Sequence, residues 1–237
     1  MKPPFGRMGG KRLLALRIIN LFPDNYDVFV EPFLGAGNIF FRLKHNPDIK
    51  EVINDKDGDV IKIMKLLKNR GDWVDKNIVR TKTRAYFDKI KNKTDALSLL
   101  EKIKLSFFSN SRTFNTSVEG KPLLTDFTKY KDRLKDTVIL NQDFATVIKK
   151  YDSPNTFFYL DPPYESEEQL DYKDYVNPEE VYDAIKNIKG KFLLSYNDSP
   201  KIRDIFKKYD IQTIKTDYQP TKDIKKRTVK ELLIKNY

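Results

Sequence analysis

A chain of 237 residues, 39% apolar and 13% aromatic, can bury one sizeable core and carry an inserted lobe besides. Its 45 Lys and Arg against 34 Asp and Glu leave a net charge of +11, a surplus that favours polyanionic partners such as nucleic acid. The lack of cysteine excludes disulfides and thiolate metal sites, the start Met1-Lys2-Pro3-Pro4 lacks a signal-peptide apolar region, and no stretch nears the roughly 18 consecutive apolar residues of a membrane span, so an intracellular, cytoplasmic protein is expected.

The first signal in chain order is Gly9-Gly10-Lys11, just ahead of apolar residues at helical spacing over residues 12–22. A glycine pair and a lysine at a helix start can bind an anion, and a flexible lead with a solvated lysine reads the same way. Residues 26–30 then predict a strand, followed by Glu31-Pro32-Phe33-Leu34-Gly35-Ala36-Gly37 and a short helix over 39–43. Gly35 and Gly37 let the backbone approach a ligand, or simply satisfy a turn needing positive φ, while Glu31 can orient a cationic or hydroxyl-bearing group. Residues 51–54 predict the second strand, and Asp55 ends it about 20 residues beyond the glycine turn. An acid at that position of a βαβ unit is placed to accept hydrogen bonds from ribose hydroxyls.

From residue 60 to residue 135 the alternation gives way to helical patterns over 60–68, 84–90 and 96–108, which read as an inserted helical lobe. Residues 109–128 form a long polar stretch in which Arg112, Asn115 and Lys121 alternate with Phe114 and Phe127. Arg and Asn can read base edges and an aromatic can wedge into a stack, so base recognition is one reading and a solvated loop the other. Strand and helix alternation resumes at 137–140, where Asp143 and Phe144 follow the strand. That pair can hold an adenine by its amino group and its ring, and Asp143 can equally cap the next helix. Trp73 and the single histidine, His45, read as packing and surface residues.

Residues 156–160 are β-branched, aromatic or apolar, as in a strand buried on both faces, and they stop at Asp161-Pro162-Pro163-Tyr164. Asp161 is thereby expected at the carboxyl end of a core strand, where open α/β sheets bind their ligands. Asn177 is expected to cap a helix over 178–188, strands follow at 191–195, 211–216 and 229–234, and a basic loop at 221–227 is suited to phosphates or to plain solvation. One carboxylate, a proline carbonyl and an aromatic face, with no His or Cys beside them, can hold a planar amino group by its hydrogens and make its nitrogen nucleophilic. A carboxylate of ordinary pKa, about 4, suits that acceptor role better than proton abstraction.

Asp161-Pro162-Pro163-Tyr164 matches the catalytic motif of amino-methyltransferases acting on nucleic acids. Together with Gly9-Gly10-Lys11, the stretch from Phe29 to Gly37, Asn54-Asp55, Asp143-Phe144 and Glu231-Leu232-Leu233-Ile234, the chain resembles the Dam-type DNA adenine methyltransferases over residues 5–237. The resemblance implies a Rossmann-like α/β sheet for S-adenosylmethionine, formed by residues 1–59 and 136–237, with residues 60–135 as a helical target-recognition insert. It implies that Arg7, Lys11, Glu31, Phe33, Gly35, Gly37, Asp55, Asp143, Phe144 and Asp161 hold S-adenosylmethionine, with S-adenosylhomocysteine as product. Asp161, the Pro162 carbonyl and Tyr164 would hold an adenine flipped out of double-stranded DNA, and Arg112, Phe114, Asn115 and Lys121 would contact that DNA. No metal is implied, and a restriction endonuclease is a candidate partner. The family often has an aromatic at Arg7 and a glycine near Thr116-Ser117. The same chemistry on RNA adenine or on a cytosine amino group, or a DNA-binding relative without turnover, are the alternatives.

Overall fold

The computed structural model describes residues 1–7, 11–163, 175–218 and 227–237. Its centre is a seven-stranded sheet: β1 (Val28–Glu31), β2 (Lys50–Asn54), β3 (Val138–Leu140), β4 (Thr156–Leu160), β5 (Lys191–Asn197), β6 (Asp210–Tyr218) and β7 (Arg227–Lys235). The order is β3-β2-β1-β4-β5-β7-β6. β1 to β5 pair in parallel, in the register Val30 with Val52 and Phe158, and β7 runs antiparallel between β5 and β6. The chain therefore switches direction across the sheet between β1 and β4, and the carboxyl ends of those two strands flank the crevice where such sheets bind ligands.

Neighbouring residues of each central strand face opposite ways, and both faces are apolar. Phe29, Ile53, Phe157, Tyr159, Leu193 and Leu233 join one core; Val30, Val52, Phe158, Leu160, Leu194, Leu232 and Ile234 join the other. This explains why the strands read as unbroken apolar runs rather than alternating ones. The second face is covered by α6 (Phe144–Tyr151), α7 (Pro178–Ile185) and α8 (Pro200–Ile205). The first carries α1 (Ala15–Ile19), α2 (Gly58–Asn77), α4 (Ala96–Leu105) and α5 (Thr128–Leu134), whereas α3 (Arg84–Ile90) packs into a small satellite cluster of Phe87, Ile90, Leu105 and Phe114.

Several elements differ from their sequence patterns for identifiable reasons. The helix expected over 39–43 is a single 3₁₀ turn, Phe40–Arg42, because the Glu31 carboxylate accepts the Phe40 N–H at 3.1 Å and Leu43 already turns to an extended conformation. The first helix is only five residues long, and Leu13 and Leu16 of its apolar pattern are exposed. By contrast α2 runs 20 residues, continuing past a break at Arg70 because Leu67, Gly71 and Val74 extend its buried stripe. Gly71 lets α5 close in: a Cβ there would lie 2.8 Å from the Phe127 carbonyl oxygen.

The helices between residues 60 and 135 share a core with the sheet. Val60, Ile63, Leu67, Leu99, Leu100, Phe127, Tyr130 and Leu134 lie in the same cluster as Phe29 and Phe157. α5 is further tied to β2 by a buried ion pair, in which Arg133 donates to both Glu51 oxygens at 2.5 and 2.7 Å and its guanidinium lies 3.8 Å from the centre of the Phe40 ring. His45 also approaches Glu51, at 3.5 Å.

Candidate active site at the carboxyl ends of the strands

Three parallel strands release the chain at one edge, and one buried side chain stitches them together. Asn54, the last residue of β2, donates to the carbonyls of Pro32 and Gln142 at 2.9 and 3.0 Å and accepts the Gln142 N–H at 2.8 Å. Its own carbonyl accepts the Leu34 N–H. These bonds fix the turns after β1, β2 and β3 against one another. Sequence reading placed Asn54 in a motif without giving it this task; an amide ending an apolar strand was the signal.

The turn after β1 holds Gly35 at φ 53° and Gly37 at φ 76°, the left-handed region that disfavours side chains. Gly37 is doubly constrained, since a Cβ would sit 2.7 Å from the Phe41 ring. The Asp55 carboxylate accepts the Gly35 N–H at 2.7 Å and the Asp57 N–H at 2.9 Å, so the acid and the glycine turn form one unit. Arg7 lies over that turn, its Cδ 3.8 Å from where a Gly35 Cβ would stand, and pairs with Asp57 at 3.0 Å. Phe33 meets Phe144 at 5.0 Å between ring centres, joining the turn after β1 to the start of α6. Asp143 is exposed and caps α6, accepting the Ala145 N–H at 2.9 Å.

Asp161 follows β4 and keeps 20% of its side chain exposed, and Pro162 beside it is buried. The Lys11 ammonium stands 2.8 Å from Asp161 Oδ1 and 3.0 Å from Glu231 Oε1. Glu231 had no assigned role in the sequence. It reaches this edge because β7 is antiparallel, which sets its central residue opposite Asn197, the last residue of β5. A lone acid inside the apolar run 229–234 was the available signal. Tyr164, Gly9, Gly10 and most of the basic loop at 221–227 lie outside the described residues.

The site is rich in buried acid. Burial pushes the Glu31 carboxyl well up, and the charges of Asp161 and Asp55 add to it, against the Phe40 N–H and Arg133. Asp55 is raised by burial, offset by Arg7 and the two N–H groups it accepts. Asp161 is raised by burial and held back by Lys11, and Glu231 is raised by burial, lowered by Lys11 and raised again by Asp161. Glu31, Asp55, Asp161 and Glu231 thus outnumber Lys11 and Arg7, and the field at the strand ends favours a cation.

The candidate DNA contacts gather elsewhere. Arg112 and Lys121 are exposed, and the Asn115 side-chain oxygen is engaged by the Ser117 N–H and hydroxyl at 3.1 and 2.7 Å. Phe114 corrects the sequence reading: its ring is 4% exposed and lies 5.8 Å from that of Phe87, so packing withholds it from DNA. Two lysines that sequence reading passed over, Lys82 and Lys104, line a cavity of about 400 Å³ with Ser106, Ser109 and Thr125. Lys104 donates to the Pro4 carbonyl and the Thr125 hydroxyl at 3.1 and 2.9 Å, and burial, with the Lys82 and Lys129 charges, pushes its pKa down to about 8. Among the described residues no group of three or more His, Cys, Asp or Glu side chains is placed to hold a metal ion, and no helix is long and apolar enough to cross a membrane.

An α/β sheet that ends in positive-φ glycines, an acid after the second strand and Asp-Pro-Pro after the fourth has the close-approach turn and the acceptors suited to a nucleoside-bearing ligand. The chain belongs to the D12 class N6 adenine-specific DNA methyltransferase family, whose profile matches residues 8–120 and 120–219. It is 24% identical to the Type II methyltransferase M1.LlaDCHI of Lactococcus lactis subsp. cremoris, over 97% of this chain and 93% of that protein. It is 23% identical to the Type II methyltransferase M.CviBI of Paramecium bursaria Chlorella virus NC1A, over 92% and 90%. It also matches the Type II methyltransferase M.FokI of Planomicrobium okeanokoites, at 25% over all of this chain and 43% of that protein. Among solved structures, a SAM-dependent O-methyltransferase from Thermotoga maritima overlays with a TM-score of 0.47 at 10% identity, covering 97% of this chain and 66% of that one. The protein is a site-specific DNA adenine methyltransferase with S-adenosylmethionine as methyl donor.

Proposed function

We propose that the strand-end site divides into a cofactor half, built from Arg7, Lys11, Glu31, Phe33, Gly35, Gly37, Asp55, Asp143 and Phe144, and a target half, built from Asp161, Pro162 and Tyr164. The donor set fits: Asp55 is an acceptor for ribose hydroxyls, Phe33 and Phe144 offer apolar rings, and the surplus of acid suits a sulfonium. When bound, S-adenosylmethionine supplies an electrophilic methyl group, so that a nitrogen–carbon bond forms as the sulfur–carbon bond breaks with its electron pair left on sulfur. Asp161 and the Pro162 carbonyl accept the hydrogens of the target amino group and keep its lone pair directed at that methyl. The amino proton, acidic only after nitrogen has gained its substituent, leaves to solvent. Catalysis on this reading is positioning of two bound reactants, with the target adenine turned out of the duplex.

Residues 60–135 act in target recognition, with Arg112, Asn115 and Lys121 as DNA contacts and Lys82 and Lys104 added to them. A restriction endonuclease reading the same site is the partner this implies, and the protein works inside the cell, where its DNA lies.

The observation that carries the assignment is Asp161-Pro162 at the end of the central strand β4, with Lys11 at 2.8 Å. The test uses purified protein, radiolabelled S-adenosylmethionine and mixed-sequence DNA, followed by identification of the modified base and its sequence context. Asp161→Ala is expected to reduce methyl transfer by at least about 10²–10³-fold while the protein still folds. Full activity in that variant overturns the reading, and label on RNA or on cytosine redirects it.

A further inference from the structure

Lys11 stands where the target half needs an acceptor. Its ammonium lies 2.8 Å from Asp161 Oδ1, and a cation at that distance draws charge from the carboxylate and weakens it toward an incoming amino group. Lys11 is 5% exposed, so its charge cannot be handed to water and has to keep an anionic neighbour.

We propose, on the reading that Asp161 holds the target amino group, that Glu231 is a positioning residue: it takes the Lys11 ammonium from Asp161 when that amino group arrives.

Glu231 is 3% exposed, and its Oε1 lies 3.0 Å from the same ammonium. One ammonium is thus shared between two acids at nearly equal distance, 2.8 Å to Asp161 Oδ1 and 3.0 Å to Glu231 Oε1, and a shift of a fraction of an ångström moves it from one toward the other. The backbone is suited to hold the receiving acid still. Glu231 sits in the middle of β7, paired on one side with Asn197 and on the other with Ile214, so the lysine rather than the glutamate does the moving.

The test compares wild type with Glu231→Gln, Lys11→Met and the double variant, reading kcat, the KM for DNA, S-adenosylmethionine affinity and thermal unfolding. In Glu231→Gln the amide cannot take the ammonium, Lys11 stays on Asp161, and kcat is expected to fall by about 10²-fold with the KM for DNA changed far less. Because Glu231 acts through Lys11, the double variant is expected to be no slower than Lys11→Met alone. Unchanged kcat in Glu231→Gln, or losses that multiply in the double variant, would overturn the inference. If Glu231→Gln does not fold, Glu231→Asp keeps the charge but withdraws it by one methylene, and the same kcat loss at constant KM is required. A dead Asp161→Ala beside a fully active Glu231→Gln removes this inference and leaves the Asp161 assignment standing; an active Asp161→Ala removes both.

Discussion

The strand-end site and the segment from Lys104 to Thr125 are built on opposite terms. At the first, acids outnumber bases, and the buried acids are held by turn N–H groups, Asp55 by Gly35 and Glu31 by Phe40, or by the Lys11 ammonium. At the second, Lys104 lies in the last turn of α4 while Arg112 and Lys121 stand on the irregular backbone that follows, with Ser109 and Ser111 held at positive φ. The contrast suits the two ligands proposed above, a sulfonium at the strand ends and the DNA backbone at the basic segment. It also teaches that a net charge of +11 says nothing about the sign of the field at the catalytic edge.

The most damaging way to break the comparison is to cut what joins its halves. Arg133→Met leaves Glu51 buried without its partner and frees α5 from β2, and a loss of about 3–5 kcal/mol in denaturant unfolding is expected. A change below 1 kcal/mol would mean that the two regions are not held together through this pair.

Next in size, Asp55→Asn removes the charge of the acceptor that holds Gly35 and that is proposed to take the ribose. Calorimetry should show S-adenosylmethionine bound about 10- to 100-fold more weakly, from about 1.5–3 kcal/mol for hydrogen bonds to a charged group, with DNA affinity unchanged. Equal losses for both ligands would erase the division. The raised carboxyls also set a pH dependence. A bound cation stabilises the ionised forms of Glu31, Asp55 and Asp161, so cofactor binding releases protons, and affinity rises with pH across the range where these acids ionise. Binding enthalpies independent of buffer ionisation would contradict it.

Lys104 tests the basic half. Below a pH of about 8 its ammonium is charged and above it neutral, so DNA affinity should fall as pH rises through 8, and Lys104→Met should remove that step. For stability the sign is opposite. Between about 8 and the ordinary lysine value the unfolded chain binds the extra proton, so this group favours the folded state more as pH rises. The salt dependence of DNA binding should lose a slope of about 0.9 if one phosphate contact is lost. The smallest effect belongs to Phe114→Leu, expected to cost less than about 1.5 kcal/mol of stability and no DNA affinity; a loss of about 1–3 kcal/mol in binding would restore a stacking role.

Legibility followed regularity. The apolar run at 156–160 announced β4, and the β-branched pair Val52-Ile53 before Asn54-Asp55 announced β2, and with them the placement of Asp161 and Asp55, because a strand buried on both faces is built from apolar and β-branched residues. The α3 pattern matched its residues, Arg84–Ile90, for the comparable reason of helical spacing. The break in α2 and the arrival of α5 were not legible, since both depend on Gly71 meeting the Phe127 carbonyl from a segment over fifty residues away.

The sequence by itself determined the class of chemistry: the Asp161-Pro162-Pro163-Tyr164 turn, the Gly35–Gly37 turn and Asp55 carry their meaning in local order, because strand ends and glycine turns are local backbone facts. Only the tertiary structure decided how the charges are shared. Glu231 lies seventy residues from Asp161 and joins it through an antiparallel pairing, Lys11 comes from the other end of the chain, and Phe114 is withdrawn into a core that no nearby residue foretells. Contacts of that range are set by packing and strand order, which local pattern does not encode.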